Sequence, residues 1–163
     1  IFNQCIKKAE INTTSSALDF LNTEVYNAVN IHRVGDMVIR DGMDLALCAF
    51  NPRTLQLYYS GAKNPIYIVR NKEVTIIKGD NQPIGSSKTP KPFTQHFFQL
   101  EKGDTLYLFT DGLPDQFGGP KGKKFKYKKF QEILINNSSD PIGLQKDKLL
   151  THKSKIIFYN FIF

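Results

Sequence analysis

The chain has 163 residues, of which 40% are hydrophobic and 23% are charged, and this fits one soluble globular domain or most of one. No apolar run approaches the roughly 18 residues of a membrane-spanning helix. The two cysteines, Cys5 and Cys48, are too few and too far apart for a disulfide framework or a paired-cysteine metal site. The composition excludes a disulfide-rich secreted domain and indicates a reducing compartment, the cytoplasm.

The net charge of +7 comes from 22 Lys and Arg residues against 15 Asp and Glu residues. Much of the excess lies late in the chain, between Lys121 and Lys129 and after Gln145. A local basic patch of this kind is compatible with nucleic acid, an anionic membrane surface or an acidic partner protein. The simpler interpretation is a solvated loop and helix face.

The chain begins at Ile1, and no basic segment followed by a short apolar run marks a signal peptide. We expect an upstream portion of the protein to precede Ile1. Any attachment to a membrane would then belong to that upstream portion.

The first predicted element is an amphipathic helix over Ala17 to Ile31. Ser15 and Ser16 precede it and are suitable N-cap residues. The apolar positions recur at the spacing of one helix face. They are Leu18, Leu21, Val25 and Val29.

Six apolar segments separated by turn residues predict β-strands. Closely linked neighbours should pair antiparallel. A further helix is predicted over Tyr127 to Asn136, where Phe130, Ile133 and Leu134 have helical spacing. Strands bracketed by helices favour an α+β domain over alternating βαβ units. The predicted strands are Met43 to Phe50, Leu55 to Ser60, Ile66 to Arg70, Val74 to Lys78, Phe93 to Leu100 and Thr105 to Thr110.

Asp111 and Gly112 directly follow the last of these strands. A carboxylate at a strand end, followed by glycine, places a hard oxygen ligand where the backbone can turn closely around a cation. Taken alone, Asp-Gly is equally a common turn dipeptide. The motif therefore gains meaning only from the segments that accompany it.

Four other motifs accompany it in a definite order. The chain resembles the SpoIIE-like branch of the PPM phosphatases, relatives of protein phosphatase type 2C, from about Leu18 through Leu134. The matching stretches are DGMDLALCAF, LQLYYSGAKNPIYIVR, GDNQPIG, LEKGDTLYLFTDGLPDQFGG and KGKKF.

The resemblance implies a fold and a reaction. The fold is an antiparallel β-sandwich, two sheets packed face to face and flanked by helices, with a metal site at one edge. In the implied reaction, two Mn²⁺ or Mg²⁺ ions lower the pKa of a bridging water, which attacks the phosphorus of a phosphoserine or phosphothreonine. Ligation by oxygen alone suits these hard cations.

The resemblance also implies roles for single residues. Asp111, in the Thr-Asp-Gly motif with Gly112, matches a direct ligand of the metal pair. Asp115 matches a further acidic position on the same loop, a candidate for holding an additional ion. Asp41 and Asp44 match the Asp-Gly-Met-Asp motif, where they would orient a metal-bound water or a ligand. A turn and a strand cap are the alternative for these two.

Two parts of the family pattern are missing from the chain. Residues Ile1 to Ser16 do not contain the first metal motif, Asp-x-x-Gly-His-Gly or a shorter Asp-Gly form, which we expect upstream. The segment 151–163 contains no Asp or Glu, whereas the last family strand carries an Asp-Asp pair. We therefore interpret residues 1–150 as a partial phosphatase domain. Residues 151–163 would be a divergent tail that lacks the last metal-ligand strand and leaves one sheet edge open.

The glycine-rich basic stretch after Asp115 lacks the spacing of a Walker phosphate-binding loop. In the family setting its lysines would steer an anionic substrate toward the metals. Nucleic acid is not an expected partner, because the basic residues are not interleaved with stacking aromatics. His32, His96 and His152 are isolated and are interpreted as surface or interface residues. The steering lysines are Lys121, Lys123 and Lys124.

Two functions follow. In the first, the protein dephosphorylates phosphoserine or phosphothreonine on a bacterial regulatory protein of the anti-sigma antagonist kind. An upstream sensor domain would be joined to it, and this chain alone would be weak or inactive. In the second, the domain is a non-catalytic module that binds a phosphoprotein or a partner domain. Sequence upstream of Ile1 would distinguish the two.

Overall fold

The computed structural model describes residues 11–30, 42–87, 89–109, 117–118, 123–124, 127–150 and 159–162. These residues form two compact units, the first made of Ile1–Pro65 with Lys78–Gln99, and the second of Ile66–Ile77 with Leu100–Phe163. Within the described ranges there are three helices and nine strands. The helices are α1 (Thr14–Asn30), α2 (Tyr127–Asn137) and α3 (Ile142–Leu150). The strands are β1 (Leu45–Asn51), β2 (Gln56–Ala62), β3 (Ile66–Arg70), β4 (Glu73–Ile77), β5 (His96–Gln99), β6 (Thr105–Leu108), β7 (Phe117–Gly118), β8 (Lys123–Lys124) and β9 (Tyr159–Ile162).

Helix α1 begins one turn earlier than the sequence predicted, because its N-cap is Thr13 and not Ser15 or Ser16. The Ser16 amide donates to Thr13 Oγ1 at 3.0 Å, and the Thr13 amide donates back to Ser16 Oγ at 3.2 Å. This reciprocal pair satisfies two backbone donors that a helix start otherwise leaves unpaired. The helix therefore starts at Thr14.

The first unit is a three-stranded antiparallel sheet, in the order β1-β2-β5, with α1 packed on it. Leu18 and Leu21 of α1 are buried against Ala62, Ile84 and Phe93. Each fully buried leucine contributes roughly 1.5–3 kcal/mol of transfer free energy. At the other end of the predicted stripe, Val29 is 41% exposed, so the apolar contact fades toward the C-terminus of the helix.

The second unit is a four-stranded antiparallel sheet in the order β4-β3-β6-β9. Strands β3 and β4 are joined by Asn71 and Lys72, both at positive φ (49° and 64°), as a two-residue hairpin turn requires. Helix α2 contributes Phe130 and Leu134 to the core. The Phe109 ring meets the Phe130 ring edge-on at 4.7 Å, an arrangement that aromatic quadrupoles favour.

Helix α3 is not among the predicted elements, and a polar contact holds it. Gln145 is fully buried, and its Oε1 accepts a hydrogen bond from the Tyr107 hydroxyl at 2.8 Å. Its Nε2 donates to the carbonyl of Asp140 at 2.7 Å. A buried amide that is hydrogen-bonded on both sides fixes the position of this helix.

The α+β class and the antiparallel pairing of neighbouring strands are confirmed. The expected open sheet edge beside β6 is wrong, because β9, within the supposed divergent tail, pairs antiparallel with β6 from Thr105↔Ile162 to Leu108↔Tyr159. Pairing between strands uses backbone N–H and C=O groups, and every residue except proline supplies both. The β9 sequence, Tyr-Asn-Phe-Ile, nevertheless carries no carboxylate.

The start of β6 is fixed by an ion pair. Arg70 Nε donates to Asp104 Oδ1 at 2.8 Å and Arg70 Nη2 to Asp104 Oδ2 at 2.6 Å, while Asp104 is only 1% exposed. Asp104 Oδ2 also accepts the Glu101 amide at 2.9 Å, which closes the turn before β6. Arg70 Nη1 reaches the more exposed carboxylate of Glu101 at 2.6 Å. One guanidinium thus holds one buried and one exposed partner.

This arrangement predicts unequal effects on stability. Asp104→Asn should lower the free energy of unfolding by roughly 1–3 kcal/mol, because it breaks a buried bidentate pair and weakens the turn. Glu101→Gln should cost less than about 1 kcal/mol, because exposed ion pairs contribute little. Urea unfolding of the two variants measures both values. Equal losses would show that burial does not set the strength of these bonds.

Candidate functional site

Three of the sequence motifs meet in the first unit through their backbones. The Met43 amide donates to the Ile84 carbonyl at 3.0 Å, and the Ile84 amide donates to the Met43 carbonyl at 2.9 Å. The Lys63 amide donates to the Asp80 carbonyl at 2.8 Å. We call the segments Gly42–Leu45, Gly61–Asn64 and Gly79–Gly85 together the motif junction. It joins the start of β1 to the end of β2.

Backbone geometry accounts for two of the four glycines in the motif junction. A Cβ atom on Gly79 would lie 2.6 Å from the Gly61 carbonyl oxygen, closer than real Cβ atoms come. Gly85 has φ +78° and donates its amide to Asn22 Oδ1 at 2.5 Å. Since Asn22 is 1% exposed, the amide of Gly85 is anchored to a buried group of α1. The sequence analysis did not single out Asn22, whose contact is long-range.

The two acidic residues of the motif junction differ in what they do. The Asp80 carboxylate accepts hydrogen bonds from the Thr94 amide at 2.7 Å and from the Thr94 hydroxyl at 3.0 Å. It therefore holds the segment that leads into β5. Asp44 is exposed at the start of β1. Its carboxylate is accessible to water and to a ligand, whereas Asp41, its partner in the motif, lies outside the described residues.

The other predicted site residues also fall outside the described residues. These are Asp111, Gly112, Asp115 and Lys121. For Lys123 and Lys124 the structure gives the backbone, which pairs antiparallel in β8 with β7. The chain approaches Asp111 from β6, which lies between β3 and β9 in the sheet of the second unit and leads to the buried Phe109.

Two ionisable groups at paired positions of β1 and β2, Cys48 and Tyr59, have raised pKa values. Burial raises the pKa of the Cys48 thiol to about 12, so the reactive thiolate is scarce near neutral pH. Burial raises the pKa of Tyr59 as well, and the Asp80 carboxylate adds to that rise. The Tyr59 ring stacks on His96, with the ring centroids 5.8 Å apart. With these raised pKa values, neither the Cys48 thiol nor the Tyr59 hydroxyl is suited to nucleophilic or acid-base chemistry.

A cavity of about 290 Å³ lies in this unit, and Cys48 is among its lining residues. Its lining comes from the start of α1 and from the neighbouring strands β1 and β2, including Thr14, Leu47 and Tyr58. No residue of the motif junction lines it. The cavity is therefore separate from the motif junction.

A metal site needs several donors that converge on one point. Across the part of the chain that the structure describes, no three His, Cys, Asp or Glu side chains come together in that way. Asp44 is a single oxygen donor at the motif junction. The described residues do not by themselves fit a cation pair, and Asp111 remains the donor that the sequence predicts.

Comparison with known families decides the relationship. A family model for stage II sporulation protein E (SpoIIE) matches residues 8–157. The chain belongs to this family. The predicted resemblance to SpoIIE-like PPM phosphatases is thereby confirmed. The search of curated proteins gave no match.

Solved structures share the fold of this SpoIIE-family chain. The SiaA-PP2C domain of Pseudomonas aeruginosa superposes with a TM-score of 0.78 at 24% identity, over 99% of this chain and 65% of that domain. The SpoIIE phosphatase domain from Bacillus subtilis superposes with a TM-score of 0.55 at 14% identity, over 99% of this chain and 69% of that domain. The Mycobacterium tuberculosis serine/threonine phosphatase PstP/Ppp superposes with a TM-score of 0.55 at 14% identity, over 98% of this chain and 76% of that one. The chain thus spans about two thirds of the SiaA-PP2C domain.

No described helix combines the length and the apolar character that crossing a bilayer requires.

The geometry of the motif junction predicts that Gly79→Ala is destabilising. The added methyl group would push against the Gly61 backbone and should cost roughly 1–3 kcal/mol, as overpacking does. Gly143→Ala is the matched control, because a Cβ atom there has no neighbour within 4 Å and alanine favours the helix. Thermal unfolding should show a lower midpoint for the first variant and an equal or higher midpoint for the second. A Gly79→Ala protein as stable as the parent would mean that the two backbones do not approach this closely.

Proposed function

We propose that this chain is part of a metal-dependent serine/threonine phosphatase domain that hydrolyses phosphoserine or phosphothreonine on a bacterial regulatory protein. The observation that supports it is the SpoIIE family match over residues 8–157, which includes both the motif junction and the Thr-Asp-Gly motif. The shared fold of the phosphatase domains is consistent with it.

The chemistry that a bound pair of Mn²⁺ or Mg²⁺ ions supplies is a water nucleophile of lowered pKa. Asp111, in its Thr-Asp-Gly setting with Gly112, is proposed as a direct ligand. Asp115 and Asp41 are proposed as further acidic positions near the ions.

Asp44 has a different proposed role. Its exposed carboxylate, at the start of β1, accepts hydrogen bonds from water and so orients water at the site. The bridge between Met43 and Ile84 holds the backbone beside it, which limits the positions that the carboxylate can take.

The proposed substrate is a phosphorylated protein of the anti-sigma antagonist kind in the cytoplasm, with an upstream sensor domain that regulates the reaction. Lys121, Lys123 and Lys124 would attract the anionic phosphoprotein toward the site.

A non-catalytic phosphoprotein-binding module is the second candidate. The observation that favours it is the absence of any Asp or Glu from residues 151–163, where β9 nevertheless completes the sheet. In that case β9 would preserve the fold and a binding surface without the metal-binding carboxylates that the family carries on its last strand.

The proposal predicts that Asp111→Asn weakens Mn²⁺ binding by about tenfold or more, because the neutral amide is a poor ligand for a hard cation. Asp147→Asn, an exposed position in α3, is the matched control and should bind Mn²⁺ like the parent. Titration calorimetry measures the affinity, and hydrolysis of p-nitrophenyl phosphate and of a phosphothreonine peptide measures turnover.

We expect only trace turnover from this chain, and a fall to the uncatalysed rate in Asp111→Asn. Equal Mn²⁺ affinity in the parent and in Asp111→Asn would remove Asp111 from the site. Tight binding of the phosphopeptide with no turnover under any Mn²⁺ concentration would favour the non-catalytic module.

A further inference from the structure

The connection after β2 contains a strained turn at Lys63. Lys63 has φ +57°, and the Asn64 amide donates to the Ala62 carbonyl at 2.6 Å across it. A bond from residue i+2 back to residue i around a positive φ defines the rarer, strained form of the γ-turn. A side chain with a Cβ atom is disfavoured in this backbone region, where glycine is free of penalty.

Hairpin geometry does not account for this conformation. Asn71 and Lys72 also have positive φ, but they form a two-residue hairpin turn whose twist requires it. Lys63 lies between β2 and β3, which belong to different sheets and do not pair. The strain at Lys63 therefore needs a different explanation.

The turn is held by hydrogen bonds on both sides. The Lys63 amide donates to the Asp80 carbonyl at 2.8 Å, and the Tyr59 hydroxyl donates to the Asn64 carbonyl at 2.5 Å. Tyr59 is 1% exposed, so this second bond is anchored in the core. Strained conformations persist only where the surroundings over-determine them, and such residues cluster at functional sites.

What the turn presents to solvent is the Lys63 side chain. It is exposed, and no carboxylate in the described ranges lies within 4 Å of its ammonium group. Leu45 faces Lys63 in a β-bridge, so Lys63 and the exposed Asp44 lie at the same end of β1 and β2. An ammonium group is a compact positive charge with three donors, and its complement is a phosphoryl dianion.

We propose that Lys63 is a phosphate-binding residue that holds the phosphoryl oxygen atoms of the substrate at the motif junction, an inference that rests on the proposed phosphatase function. The strained turn, fixed by Asp80 and Tyr59, places this cation at the same end of β1 and β2 as Asp44. The backbone of the motif junction then both stabilises the fold and positions a phosphate-binding lysine.

The test is a titration of this chain, without metal, with inorganic phosphate and with a phosphothreonine peptide. Binding is measured from the changes in amide chemical shifts in NMR spectra. Shifts should concentrate on Met43–Leu45 and on Lys63 and Asn64. Lys63→Met should weaken both ligands by roughly fivefold to tenfold, as expected for the loss of one charge-assisted hydrogen bond at an exposed site. Lys63→Arg should retain most of the affinity, since it keeps the charge.

Two further variants separate charge from backbone. Lys72→Met is the matched control, because Lys72 is also exposed, positively charged and at positive φ (64°). It should bind phosphate like the parent. Lys63→Gly removes the strain and should be at least as stable as the parent, yet it should bind phosphate as weakly as Lys63→Met.

Unchanged affinity in Lys63→Met, an equal loss in Lys72→Met, or no phosphate binding by the parent chain would each overturn the inference. If Lys63→Met loses phosphate binding and no Mn²⁺-dependent turnover exists in any version, Lys63 stands as the binding residue. Hydrolysis would then be the part of the proposed function that fails.

Discussion

The close contact between the backbones of Gly61 and Gly79 is the constraint on which the motif junction depends. It lets the Asp80 amide reach the Gly61 carbonyl at 2.8 Å, and the Asp80 carbonyl then receives the Lys63 amide. A Cβ atom on Gly79 would lie 2.6 Å from the Gly61 carbonyl oxygen and would push the two segments apart, which weakens both bonds. The turn at Lys63 depends on this approach of two main chains together with the hydrogen bond from the Tyr59 hydroxyl.

Strand β6 plays the corresponding part in the second unit. Its start is tied to Arg70 through Asp104, and its middle is tied to α3 through Tyr107 and Gln145. The Thr105 hydroxyl is buried with no partner among the described residues, a cost that the surrounding bonds must outweigh. Because both sheet neighbours and these polar contacts fix the strand, the chain leaves it toward Asp111 from a defined position.

Local patterns were sufficient for most of the elements and insufficient for the contacts between them. Strand β3 was predicted with its observed bounds, since its apolar run lies between clear turn residues. Helix α3 was missed because a buried residue that holds it is a glutamine, which a search for apolar periodicity does not find. Strand β9 was missed because the prediction relied on absent carboxylates, whereas strand pairing depends on the backbone. The bridge between Met43 and Ile84 joins residues far apart in sequence, and no local pattern encodes it.

The residues that make the motifs recognisable divide into two physical kinds. Gly79, Gly85 and Ile84 are required by the backbone, since each makes a close approach or a main-chain hydrogen bond that tolerates little change. Asp44 and Lys63 are exposed and contribute charge at the same end of the sheet. The close approaches and the strained turn fix the backbone around these two solvent-facing charges, and neither charge is needed to keep that backbone network intact.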